Sequence, residues 1–166
     1  MRKVVLLIGF ALLSGCTMWD QFKETTGITP ETSSIELLIE ASPVLNERVG
    51  GQSSPVVLRV HELSSPVLFR RLDFFALFES DKASLGDEYI KRYEYEIQPG
   101  ESVEQLLTLA PATRALGFSV AFRDIDGSSW RKVVEIEAKS KYVMKLNLEG
   151  SDLMTDEDGG LEQVYF

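Results

Sequence analysis

Only one cysteine, Cys16, and one histidine, His61, occur among the 166 residues. One thiol cannot close an intramolecular disulfide or supply a cysteine-rich zinc site, and one imidazole excludes paired-histidine metal binding or catalysis. Basic residues are scarce as well, 17 against 26 acidic, for a net charge of −9. A surface of that sign repels nucleic acid and anionic head groups, so neither is an expected ligand. The chain has no glycine-rich phosphate loop, no G-x-S-x-G nucleophile elbow and no internal repeat. No apolar run approaches the roughly 20 residues that a bilayer-spanning helix needs.

The apolar run Val4–Leu13 covers ten residues, behind the positive pair Arg2-Lys3. That length fits the hydrophobic region of a secretory signal peptide, about 7–15 residues. Leu13-Ser14-Gly15-Cys16 then resembles a bacterial lipoprotein lipobox. The resemblance implies that residues 1–15 are removed, that Cys16 receives a thioether-linked diacylglycerol, and that its new amino group is acylated. The bland alternative is an ordinary leader with an incidental thiol. Each buried CH₂ contributes about 0.8 kcal/mol to membrane binding and a single chain holds only marginally, whereas two or three hold firmly. Thr17, rather than an aspartate, follows the cysteine, which by analogy with enteric lipoproteins favours the outer membrane. Losing Arg2 and Lys3 from 17 basic residues leaves 15 against 26 acidic, a net charge of −11. The remaining chain, about 150 residues, is long enough for one sizeable core and a single domain.

Residues 17–33 are polar and contain Gly27 and Pro30. With Cys16 they read as an acylated tether, 16–33, in which residues 17–33 reach about 55–60 Å when extended. Trp19 and Phe22 fit either the membrane interface or a dock on the domain. Beyond them the pattern changes to period two. Ile35, Leu37, Ile39 and Ala41 share a face, as do Val56, Leu58 and Val60; Leu116, Phe118, Val120 and Phe122; and Tyr142, Met144, Leu146 and Leu148. Such alternation predicts half-buried antiparallel strands. Pro99-Gly100 and Asp126-Gly127 supply turns between further strands. The expected fold is all-β with a short helical insertion: an antiparallel β-sandwich of about seven or eight strands over residues 34–150. The insertion falls near residues 65–86, where Ser65 is the expected N-cap, Pro66 the first helical residue and Gly86 the stop. Phe74, Phe75 and Phe78 are expected to plug an open end or face of the sandwich. Residues 151–166 read as an acidic tail whose end adds a short strand, docks or stays solvated.

Chemistry is hard to find. His61 falls on the solvent face of its strand by alternation, with no nucleophile elbow near it. Asp124-Ile125-Asp126-Gly127 resembles the middle of a calcium loop, but with Gly127 at the sixth position, Phe122 and Val133 fall where ligands are needed. A strand-joining turn explains those residues. Asp156, Glu157 and Asp158 read as a solvated charge run. No catalytic residue, metal ligand, small-molecule substrate or cofactor is expected, apart from the covalent lipid on Cys16.

The lipobox, "PVVLRVHEL", "DFFALF" and "FRDIDGSSWR", in that order, resemble the outer-membrane lipoprotein family of the type VI secretion system, TssJ or SciN. The resemblance covers about Ser34 to Leu148. It implies a transthyretin-like β-sandwich with an extra helical segment, held in the outer membrane and facing the periplasm. It also implies that the protein docks the periplasmic C-terminal domain of the inner-membrane component TssM, which with TssL forms an envelope-spanning complex. The loop between the first two strands makes that contact in the family. Here it is Ser42 to Pro55, and Asn46, Glu47, Arg48, Val49, Gly50, Gly51, Gln52 and Ser53 are the candidate contact residues. Gly50-Gly51 suggests a flexible tip, and Leu45 and Val49 are apolar groups that a polar loop has little reason to display. The alternative is a periplasmic ligand- or glycan-binding lipoprotein of the same fold, which needs a concave pocket with convergent polar groups.

Overall fold

Apolar–polar alternation builds two packed sheets. The computed structural model describes residues 32–155 and the backbone of residues 161–164. In the first sheet β1 (Ser34–Leu45) lies between β4 (Ser102–Thr108) and β7 (Lys141–Gly150). Two short strands, β8 (Asp152–Thr155) and β9 (Leu161–Val164), pair with successive parts of the other edge of β7. The second sheet runs β3 (Tyr89–Ile97), β2 (Val56–Leu63), β5 (Ala115–Ala121), β6 (Arg131–Glu135). Cys16, Trp19, Phe22 and the Asp156–Asp158 charge run lie outside the described residues.

One pairing departs from the expected all-antiparallel arrangement. β1 and β7 run parallel, with Ser34 opposite Lys141 and Ala41 opposite Leu148. Alternation decides which side chains face inward but carries no information on strand direction. The inward sets are those expected: the apolar residues of β1, β2, β5 and β7 form one buried cluster between the sheets. The C-terminal stretch read as a tail supplies β8 and β9, whose ladders cover the β7 edge that would otherwise stay open.

The second sheet is covered on its outer face too. Three short helices, α1 (Val67–Arg71), α2 (Phe74–Glu79) and α3 (Asp81–Leu85), precede a 3-10 turn over Gly86–Glu88. Asp73 caps α2 by accepting from the Ala76 amide at 2.8 Å, and Gly86 leaves α3 with φ +53°, a conformation that favours glycine. Pro66, not Ser65, is the N-cap of α1. The buried apolar residues of the insertion are Phe69, Leu77 and Leu85, packed with Leu63 and Ala115 into a second cluster; Asp81 is buried as well. Phe69 does the plugging expected of the later phenylalanines. Phe74 and Phe78 are half-buried and stack at 4.4 Å, and Phe75 is 63% exposed, because α2 turns that side away from the sheet. Burial on both faces explains why every residue of β5 from Ala115 to Val120 is buried, polar Ser119 included.

Candidate docking surface

The connection from Leu45 to Val56 stands at one end of the sandwich, beside three other connections. The Gly100 amide of the β3–β4 turn donates to the Ser42 carbonyl at 3.1 Å, and the Asn46 amide donates to the carbonyl of Gly150 at the β7–β8 turn at 2.7 Å. The Arg123 amide of the β5–β6 loop donates to Asn46 Oδ1 at 2.8 Å. At the opposite end the described chain begins. There the Ser34 amide donates to the Ser140 carbonyl at 3.1 Å, and the Leu109 amide donates to the Ser33 carbonyl at 2.8 Å.

The eight candidate residues divide into two groups. Glu47, Arg48, Val49, Gly50, Gly51 and Gln52 are exposed, Val49 completely so. Ser53 is half-buried and donates from Oγ to the Pro43 carbonyl at 2.8 Å. Asn46 is buried. The tip is a hydrogen-bonded turn: the Gly51 amide donates to the Arg48 carbonyl and the Arg48 amide to the Gln52 carbonyl, both at 2.9 Å. Gly50 and Gly51, with φ of +112° and +81°, supply the backbone that this reversal needs. The glycine pair thus builds an ordered turn, where the sequence suggested a flexible tip. Leu45, expected on display, is fully buried, because it closes the inward face of β1. What remains outside on the turn is an apolar knob, Val49, between Arg48 and Gly50; Val44, at the end of β1, is exposed too.

Elsewhere the polar groups serve the fold. His61 is fully buried, a correction to its expected solvent-facing position. Alternation did put it on the outer face of β2, and the helical insertion then covered that face. Its Nε2 lies 3.1 Å from Asp81 Oδ2, which also accepts from Arg92 at 2.9 Å. Arg59 clamps the insertion from the next position along, donating to the Phe78 carbonyl at 2.6 Å and to Glu94 at 2.7 Å. Burial pushes the imidazole below its ordinary pKa, aided by the nearby Arg92 and Arg59 charges and only partly opposed by Asp81. Burial alone would raise the Asp81 carboxyl, but the Lys82 amide, His61 and Arg92 outweigh it and hold it below the usual range. Between the unfolded His61 value, 6.5, and its depressed folded value, the unfolded chain binds a proton that the folded chain refuses. Stability therefore falls as pH drops through that window, by at most about 1.4 kcal/mol per pH unit. The Asp81 contribution persists there and is lost only at lower pH, below its unfolded value of 3.8. Because His61 is the only histidine, urea titrations from pH 7 to 5 should show this slope in the native protein and a flatter one in His61→Gln. Equal slopes would contradict the assignment.

Glu62, a residue the sequence did not single out, is buried at the end of β2. It accepts from Tyr93 Oη at 2.8 Å, the Ala110 amide at 2.8 Å and Thr113 Oγ1 at 2.7 Å. This carboxylate anchors the β4–β5 connection, and only tertiary contacts reveal it. Asp124 Oδ1 accepts from the Gly127 amide at 3.1 Å, closing the turn expected from Asp-Ile-Asp-Gly. Two hollows on the outer face of the first sheet, one lined by Glu40, Ser42, Asn147 and Met154, are open to solvent.

The family model described as T6SS-SciN, type VI secretion lipoprotein (VasD, EvfM, TssJ), matches residues 33–151. Among solved structures, the type VI lipoprotein TssJ1 of Pseudomonas aeruginosa is similar at 29% identity and a TM-score of 0.73, over 81% of this chain and 98% of that one. Serratia marcescens Lip, a membrane-bound component of the type VI secretion system, is similar in fold at 21% identity and a TM-score of 0.69, over 75% of this chain and 97% of that one. A chain in the structure described as the TssM C-terminal domain from EAEC is similar in fold at 24% identity and a TM-score of 0.62, over 74% and 96%. The comparison with curated proteins gives no match.

Proposed function

This chain belongs to the type VI secretion lipoprotein family, and on that premise we propose that it anchors an envelope-spanning complex: Cys16 carries lipid in the outer membrane, and the loop at residues 47–52 docks the periplasmic domain of TssM. The observation that carries the reading is the placement of the two ends. The described chain enters at the start of β1, and the exposed loop follows its end. Twelve residues of strand separate them, about 40 Å at 3.3 Å per residue. The loop therefore lies at the end of the domain remote from the point where the tether joins, where a protein rising from the inner membrane can meet it. The exposed Val49 is apolar surface that a partner could bury, and binding loops on rigid scaffolds are a common arrangement. No catalytic role enters this reading, and the open hollows lend no support to a ligand-binding alternative. The test is a calorimetric titration of the soluble Cys16→Ser mature chain with the TssM periplasmic domain. Deleting residues 47–52 should abolish binding while the melting temperature of the domain holds; undiminished binding would reject the loop.

A further inference from the structure

Asn46 stands at the foot of the docking loop, buried and in the left-handed region with φ +48°. Asparagine is among the few non-glycine residues that enter this region readily. From there it makes three hydrogen bonds to three different segments. Its amide donates to the Gly150 carbonyl at 2.7 Å. Its Oδ1 accepts from the Arg123 amide at 2.8 Å. Its Nδ2 donates to the Pro55 carbonyl, at the far end of its own loop, at 3.1 Å. One side chain therefore closes the loop on itself and ties it to the β5–β6 connection. Above it, Ser54 donates to the Leu45 carbonyl at 3.0 Å, and the turn at Arg48–Gln52 completes a small braced hairpin.

We infer that Asn46 is a positioning residue for partner binding: it touches no partner itself, and it holds the Arg48–Gln52 turn, with Val49 at its tip, in the geometry in which the partner meets it. The inference rests on the docking role of this loop. Ordering a loop on association opposes binding, and a loop ordered beforehand avoids that loss. A buried asparagine with both amide atoms engaged, at a backbone conformation few residues accept, is a specific way to achieve it.

The test compares three variants of the soluble mature chain: Asn46→Gly, which keeps the backbone conformation but removes both side-chain bonds; Asn46→Asp, which keeps the acceptor for Arg123 and loses the donor to Pro55; and the deletion of residues 47–52. Hydrogen exchange at the Arg48 and Gly51 amides reads the order of the turn, and calorimetry with the TssM periplasmic domain reads affinity. Asn46→Gly should exchange faster at those two amides and bind about tenfold more weakly, with the loss in entropy, at an ordering cost of about 1.4 kcal/mol. Asn46→Asp, which sets a carboxylate oxygen against the Pro55 carbonyl, should also exchange faster at those amides and bind more weakly than the native protein, and it decides the matter if the glycine variant does not fold. Faster exchange with unchanged affinity would overturn the positioning role, and so would unchanged exchange. Either result leaves the docking role intact if the deletion still abolishes binding. If the deletion binds normally, the docking reading itself fails.

Discussion

Replacing Phe69 with alanine should destabilise the domain by about 3–5 kcal/mol, the range for emptying a buried aromatic site. The ring is fully buried and lies 5.3 Å from the His61 ring, centroid to centroid. It sits on Gly117 so closely that a Cβ there would come within 2.6 Å of the ring. Truncation would therefore leave a hole bounded by backbone on one side and helix on the other, with little that could collapse into it. The same ring explains the glycine. Gly117→Val should destabilise by pushing Phe69 outward, through overpacking rather than a cavity. The insertion is held by few other apolar groups, chiefly Leu77 and Leu85, so the loss should spread to all three helices. Urea denaturation followed by tryptophan fluorescence would measure it, since Trp130 packs edge-on against Phe74 at 5.3 Å. A loss below about 1 kcal/mol, far under the range for such sites, would show that the helices are not fastened to the sheet in this way.

Replacing Cys16 with serine should remove the anchor altogether. On the proposed reading the acyl chains attach through this sulfur and the amino group that processing exposes, and the chain has no second thiol to substitute. Each lost chain removes about 0.8 kcal/mol per CH₂ of membrane affinity, which summed over two or three chains is the difference between permanent residence and solubility. Cells fed an alkyne-tagged palmitate should label the native protein and not the variant. The variant should leave the outer-membrane fraction and secretion should stop, although the purified domain still binds TssM, because the loop is untouched. Labelled variant protein, or secretion at native levels, would refute the anchoring role. No helix among the described residues is long and apolar enough to cross a membrane, so that region offers no helical substitute.

Much of this architecture was legible before any coordinates. The inward residues of β1, β2, β5 and β7 follow from alternation because a half-buried strand shows its burial every second residue. The helical insertion follows from a break in that period. What escaped has a common physical cause: it depends on partners distant in sequence. The parallel β1–β7 pairing joins residues more than a hundred positions apart. His61 lies where alternation put it, on the outer face, and is buried because the helical insertion, with Phe69 of α1 and Asp81 of α3, folds back over it. Glu62 would be an anomaly on an inward face without Tyr93, Ala110 and Thr113 to satisfy it. In the proposed docking loop the exposed Val49 was legible as an apolar residue among polar ones. Leu45 carried the same signal and is core, and Asn46 looked like a contact and is a brace. Polarity alone does not distinguish a residue that meets a partner from one that holds the loop.

The most direct test of the orientation is crosslinking in living cells, with a photoreactive amino acid at one position at a time in the acylated protein. One probe replaces Val49, at the loop tip. The other replaces Lys139, which is exposed beside Ser140 at the end where the chain enters. Illumination should join the Val49 probe to TssM and leave the Lys139 probe unjoined. TssM captured at Lys139, with none at Val49, would mean that the domain meets its partner through the opposite end.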